Sequence, residues 1–192
     1  LLSTCLRVNN RYDSSKEICK KILNIDYRNI EANLNLGLIN LSLKLFDEAQ
    51  EQLEIVHEEK EHLHQIWPLL SSLYLQKENY DKAIPLYLKL YEKDKKNLKF
   101  QYSIAHCYEK LGNLKEAINF YNKITEIKKS DPELLNKVGV LHEKMGDENL
   151  AEKKFIKALN INENYLEAHI NYRKILHKNG NIKESIKKSF YI

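Results

Sequence analysis

The chain is poor in the residues that punctuate or crosslink a fold: 192 positions hold five Gly, three Pro, three Cys and one Trp. So little Gly and Pro leaves no material for a series of hairpin turns, for a glycine loop that cradles phosphate, or for a flexible linker. Cys5, Cys19 and Cys107 are odd in number and form no C-x-x-C pair, so neither a zinc site nor a disulfide framework is supported. A reducing, cytoplasmic compartment is the expected setting. No apolar run reaches membrane-spanning length, because the greasiest stretch, Leu34 to Phe46, is broken by Asn35, Asn40, Ser42 and Lys44. No membrane insertion is expected. Arg is scarce too, with only Arg7, Arg11, Arg28 and Arg173, and the net charge of +4 is a small difference between 31 basic and 27 acidic residues. Both facts disfavour nucleic acid as the partner, although Lys153-Lys154 and Lys187-Lys188 are the runs that would serve it. The chain begins without Met and shows no signal-peptide pattern, and is read as a piece of a longer protein.

What the chain does contain is a repeat. A shift of 34 residues sets small residue on small: Ala49, Ala83, Ala117 and Ala151 form one column, with Ser15 before and Ser185 after. Gly37, Ser71, Ala105 and Gly139 form another, which fails at Arg173. Large residues keep the same step in Leu36, Leu70, Ile104, Val138 and Tyr172, and again in Leu53, Tyr87, Tyr121 and Phe155. Ile22, Val56, Leu90, Ile124, Ala158 and Ile192 make a further column, and so do Tyr12, Phe46, Tyr80, Leu114 and Ile182, with Glu148 the exception.

Within one period the apolar spacing is helical twice over. Ile104, Ala105, Tyr108 and Leu111 mark one face; Ala117, Ile118, Tyr121 and Ile124 mark a second after Gly112-Asn113. Gly112, Gly146 and Gly180 sit where the first helix should end and supply the left-handed backbone that a short turn requires. Ser130-Asp131-Pro132-Glu133 reads as a capped helix start. Pro68 is expected to delay or bend the start of its helix, and Pro85 to lie near enough to a helix start to be tolerated. The sequon Asn40-Leu41-Ser42 falls inside an expected helix, where a glycan could hardly be attached.

This pattern, L-G/A-x-x-Y followed by G-x-L/Y-x-x-A-x-x-x-Y/F-x-x-A/I, resembles the tetratricopeptide repeat. Its best instances are Ile104-Ala105-His106-Cys107-Tyr108 with Gly112, Ala117 and Tyr121, and Val138-Gly139 with Gly146, Ala151, Phe155 and Ala158. It departs from the family in having the inter-repeat Pro only at Pro132 and the favoured Trp only at Trp67. The resemblance implies an all-α fold, a right-handed α-α superhelical solenoid over residues 1–192. Its partial repeats would be 1–29 and 166–192, and its full repeats 30–63, 64–97, 98–131 and 132–165.

The resemblance also implies a non-catalytic scaffold or adaptor, without a cofactor, in a multi-protein assembly. The first helix of each pair would line a concave groove that takes a peptide or helix of another protein. Two further readings stay open: the substrate-recruiting arm of a larger enzyme, or a structural spacer of the kind found in intraflagellar-transport complexes, which the stretch from Asp81 through Ala151 also resembles.

The groove positions divide the chain. Leu34, Asn35, Leu38, Leu41, Leu69, Ser72 and Leu75 make one part apolar, while Lys99, Tyr102, His106, Lys137, Asn171 and Lys174, with Glu109 and Lys110 among them, make the other polar and rich in Lys. An amphipathic or extended segment followed by an acidic stretch would suit both. Repeats that clamp the C-terminal carboxylate of heat-shock chaperones place Lys and Asn on one groove helix, Asn on the next, and Lys and Arg on the third, where this chain has Leu34 and Leu38, then Leu69, then Lys99 and Ser103, so that partner does not fit.

Catalytic and metal patterns are weak. His57, His62 and His64 stand among acidic residues, and His57 would share a helical face with Glu61, but a solvated helix end is the simpler reading. His57-Glu58 and His142-Glu143 lack the second His of a zinc-protease motif. His106 and Cys107 are helix neighbours that project in different directions. The recurrent Tyr residues are read as core.

Overall fold

The computed structural model describes residues 12–180, which hold ten α-helices and one short 3-10 turn. They are α1 (Tyr12–Ile25), α2 (Ile30–Ser42), α3 (Phe46–Glu59), the 3-10 turn (His64–Ile66), α4 (Trp67–Gln76), α5 (Tyr80–Lys93), α6 (Leu98–Lys110), α7 (Leu114–Ile127), α8 (Pro132–Lys144), α9 (Glu148–Ile161) and α10 (Leu166–Lys178). Among the described residues there is no strand. Ser185, Ile182, Ile192, Cys5, Arg7, Arg11 and the Lys187-Lys188 run lie outside the described residues.

Helix starts are set by a column of caps. Asn29, Asn97 and Asp131 accept hydrogen bonds from the backbone N–H of Ala32, Lys99 and Leu134 at 3.1, 3.1 and 2.9 Å. Each satisfies one of the donors that a helix N-terminus leaves unpaired. Leu63 holds the same register and cannot cap; there the chain makes a 3-10 turn first, and α4 begins only at Trp67, with Pro68 in its first turn. The expected delay at Pro68 is thus present; a missing cap alone does not cause it, since Tyr165 in the same register makes no side-chain cap and its helix still begins at Leu166.

A second column locks the turn between periods. Asn33, Trp67, Gln101 and His169 each hydrogen-bond the backbone carbonyl six residues back, on Tyr27, Glu61, Lys95 and Glu163, at 2.8, 3.0, 2.7 and 2.6 Å. Because a carbonyl only accepts, His169 carries its proton on Nε2 here. Four chemically different side chains perform one task, which explains how a single Trp suffices.

The turn after each first helix follows one hydrogen-bond pattern. Leu45, Asn79, Asn113 and Asp147 donate to the carbonyls of Asn40, Tyr74, Tyr108 and His142 at 2.8 to 2.9 Å, while Lys44, Glu78, Gly112 and Gly146 donate to Leu41, Leu75, Glu109 and Glu143. This double closure requires a left-handed residue. Gly112, Gly146 and Gly180 supply it at φ 78°, 84° and 77°, but Lys44 and Glu78 adopt it at φ 60° and 57°.

Two compact units divide the chain, residues 1–90 and 91–192. In the first, α2 packs against α1 and α3, and α3 against α4. In the second, α6 packs against α7, α7 against α8, α8 against α9, and α9 against α10. The small columns lie inside each: Ala49 and Ala83 in one and Ala117 and Ala151 in the other are fully buried, as are Leu53, Tyr121 and Phe155 beside them. Each such large side chain contributes roughly 1.5–3 kcal/mol by leaving water. Small neighbours let the helices close up around it.

Pro85 is tolerated as expected, though in the second turn of its helix and not the first. It lies inside α5, on an exposed face. Its ring removes the N–H that would reach the Asp81 carbonyl, a loss of roughly 3 kcal/mol in a helix interior. Burial of Ala83, Ile84, Leu86, Tyr87 and Leu90 along the other faces holds the helix through it. Asn40 of the sequon is buried within α2.

Candidate protein-docking face

In the first unit, α2 buries Ala32, Leu36 and Ile39 and leaves Leu34, Leu38 and Leu41 half-buried. On α4, Trp67, Leu70, Leu73 and Tyr74 are buried, Leu69 and Leu75 half-buried, and Ser72 exposed. The expected apolar residues therefore retain open surface. Asn35 does not; it is 4% exposed, because one further residue along α2 carries it about 100° round toward the packed side.

The same unit holds a carboxylate inside its packing. Glu54 on α3 accepts from Tyr74 Oη at 2.6 Å, Lys82 Nζ at 3.0 Å and Gln50 Nε2 at 3.0 Å. Burial alone would raise its pKa, but these three donors outweigh burial and hold it below the ordinary carboxylate value.

In the second unit the corresponding network comes to the candidate face. Glu109 on α6 accepts from Tyr121 Oη at 2.8 Å and pairs with Lys137 Nζ on α8 at 2.9 Å. Burial again pushes the carboxyl up, and the Lys137 and Tyr121 hydrogen bonds bring it down past its ordinary value. Tyr121 is pushed far the other way, by burial first and then by its bond to Glu109. Tyr102 stands on this frame 46% exposed, its ring edge-on to Tyr121 with centroids 5.5 Å apart, and Lys137 lies 5.3 Å from the Tyr121 centroid. His106 is half-buried, and burial together with the Lys137 charge lowers its pKa. Tyr102, His106 and Lys137 thus meet around Glu109.

The other expected residues lie apart from that cluster. Lys99 is exposed in the first turn of α6. Asn171 on α10 donates to Asn136 on α8 at 3.0 Å, and Lys174 pairs with Glu143 at 2.7 Å. Acid pairing therefore offsets the Lys excess that the sequence suggested, since Lys137 and Lys174 each face a Glu from the preceding first helix. The Tyr121 hydroxyl was read as core and is also the second donor to Glu109. The short spacing from Glu109 across the turn to Tyr121 was its available signal.

Burial pushes the Cys107 thiol up to about 11, which disfavours a thiolate there. Helix α3 ends at Glu59, before Glu61, whose carboxylate is engaged by Lys89 while still within electrostatic range of His57. Among the described residues no group of three His, Cys, Asp or Glu is placed to hold a metal ion. No helix among them is long and apolar enough to cross a membrane.

Comparison with known proteins agrees with this architecture. Two family models described as tetratricopeptide repeat match residues 74–139 and 132–165. No curated protein matches the chain, so no individual member is singled out. Among solved structures, MamA from MSR-1 is 22% identical over 84% of this chain and 92% of its own, with a TM-score of 0.63. YrrB, a tetratricopeptide protein with an unusual peptide-binding site, is 17% identical over 86% of each chain, with a TM-score of 0.65. A chain in the structure of Naa15/Naa10 bound to HypK-THB is 18% identical; the match covers 97% of this chain and 29% of that one, with a TM-score of 0.77. These likenesses carry the fold, an all-α helical repeat solenoid. With the 34-residue columns, the recurring caps and turns and both family matches in agreement, residues 74–165 are tetratricopeptide repeats.

Proposed function

We propose that this chain is a non-catalytic scaffold that binds a peptide or helix of a partner protein on the face formed by its first helices, as a subunit of a cytoplasmic multi-protein assembly. Tetratricopeptide repeats support protein interaction in general. The observation that carries the finer reading is the line Leu34, Leu38 and Leu41, which keeps open surface on a helix that buries Ala32, Leu36 and Ile39. Leu69 and Leu75 continue it on α4, and Tyr102, His106 and Lys137 give the second unit an aromatic and polar counterpart. YrrB, which shares the fold, has a peptide-binding site of its own.

Selection of peptides from a displayed library on the purified chain tests the leading reading. Leu38→Asp with Leu75→Asp, and separately Tyr102→Ala with His106→Ala, should weaken the selected peptides by roughly tenfold or more with helicity unchanged. Peptides bound equally well by both double variants would overturn it.

A further inference from the structure

Away from those first-helix faces, the second unit carries a basic cleft of about 300 Å³ where α7 and α9 end and α8 begins. Lys128 and Lys129 follow the last turn of α7, Lys154 and Lys157 project from α9, and Leu135 and Ile161 contribute apolar surface between them. Helix C-termini tolerate such a gathering of cations, since their free carbonyls face the ammonium groups.

Most of the lysines that join one period to the next have acid partners: Lys77 has Asp47, Lys82 Glu54, Lys89 Glu61, Lys137 Glu109, Lys174 Glu143 and Lys178 Glu148. Lys154 instead donates to the Asn122 amide oxygen at 2.7 Å. Among the described residues no carboxylate oxygen lies within 4.0 Å of Lys129, Lys154 or Lys157, and Lys128 meets Asp131 only at that limit. Burial and then repulsion from Lys157 lower the Lys154 pKa, with Glu126 a lesser opposing charge. The cluster is therefore a concentration of positive charge that the described residues do not neutralise. Lys154 itself is half-buried.

The cleft is the middle of a longer depression. It shares Lys128 and Lys129 with an open hollow of about 560 Å³, and Asn160 and Ile161 with another of about 910 Å³. A single small anion would fill only a fraction of that length. Nucleic acid would extend its phosphates past the four lysines and meet Asp131 and Glu133 at one end and Glu163 at the other. An extended peptide fits both features: carboxylates over the lysines, an apolar side chain on Leu135 and Ile161, and uncharged residues toward the acidic ends.

We infer that this channel is a second docking site, independent of the first-helix face, which binds an extended segment of a protein partner carrying a short run of carboxylates with an apolar residue beside it. Charge complementarity at a partly desolvated site governs both specificity and capture rate, and added salt weakens it.

The test uses the whole chain and a fluorescein-labelled peptide of Glu residues interrupted by one Leu and flanked by Ser, followed by fluorescence anisotropy. Saturable binding is expected that weakens as NaCl is raised. Lys129→Glu with Lys157→Glu, both at exposed positions, should weaken it by roughly tenfold or more with the unfolding midpoint unchanged. Lys129→Arg with Lys157→Arg should retain it, as should Tyr102→Ala on the other face. No saturable binding to the unsubstituted chain, equal affinity in the charge-reversed variant, loss on Tyr102→Ala, or tighter binding of a short DNA duplex would each overturn the inference.

Discussion

Lys44 and Glu78 in the first unit stand where Gly112, Gly146 and Gly180 stand in the second. All five residues hold the same left-handed backbone, and the four turns that close fully among the described residues share one hydrogen-bond pattern. The turn is therefore imposed by the packing of two helices in each period and does not wait for glycine. A residue with a Cβ pays for it with strain of about 1–2 kcal/mol. The units differ in a second way. At Gly37 a Cβ would sit 3.1 Å from Leu53, close enough that Leu53 must shift slightly, whereas Gly139 lies so close under Phe155 that any Cβ would sit 2.5 Å from the ring. The second unit has traded tolerance for close packing.

That contrast can be broken most forcefully at the close approach. Gly139→Ala must displace a fully buried ring and should cost about 1–3 kcal/mol in urea unfolding. Gly37→Ala, whose new methyl meets Leu53 at 3.1 Å, should cost distinctly less. Equal losses would show that the two units are packed alike. Relief of the strained turns comes next in size: Lys44→Gly and Glu78→Gly should each raise stability by up to about 1 kcal/mol, seen as a higher urea midpoint. Loss of stability in either variant would refute the strain.

The smallest effect concerns the two held carboxylates. The pKa of Glu109 is depressed on folding, so its stabilisation is fully present above the ordinary value of 4.5 and is lost as pH falls through the lower folded value. Glu109→Gln should therefore cost under about 1 kcal/mol near neutral pH and nothing in strong acid, where the two stability curves converge. Glu54, with a depressed pKa of the same origin, should behave alike in the first unit. A constant offset across pH would show that packing, not charge, is what the substitution removes.

Much of this was legible in the columns. Small residues at one step and large ones at another located the buried contacts, because close helix approach leaves few choices of side chain. Turn glycines were legible only where glycine was used; nothing in the identity of Lys44 or Glu78 announces a left-handed backbone. Pro85 is tolerated as its place near a helix start suggested, with the buried face of α5 holding the helix through it. The column of Asn33, Trp67, Gln101 and His169 escaped notice because it conserves a hydrogen bond and not a shape. At the candidate face the positions were read correctly as first-helix residues, but the pairing of Lys137 with Glu109 and of Lys174 with Glu143 depends on distances between successive helices, which spacing along the chain does not report.

Cys19 and Cys107 are both fully buried, one in each unit. A thiol reagent can reach either only when its own neighbourhood opens. In a chain with Cys5 replaced by Ser, the rates at which the two sulfurs are alkylated time the opening of the two halves separately, giving each its own clock without any label having to be introduced.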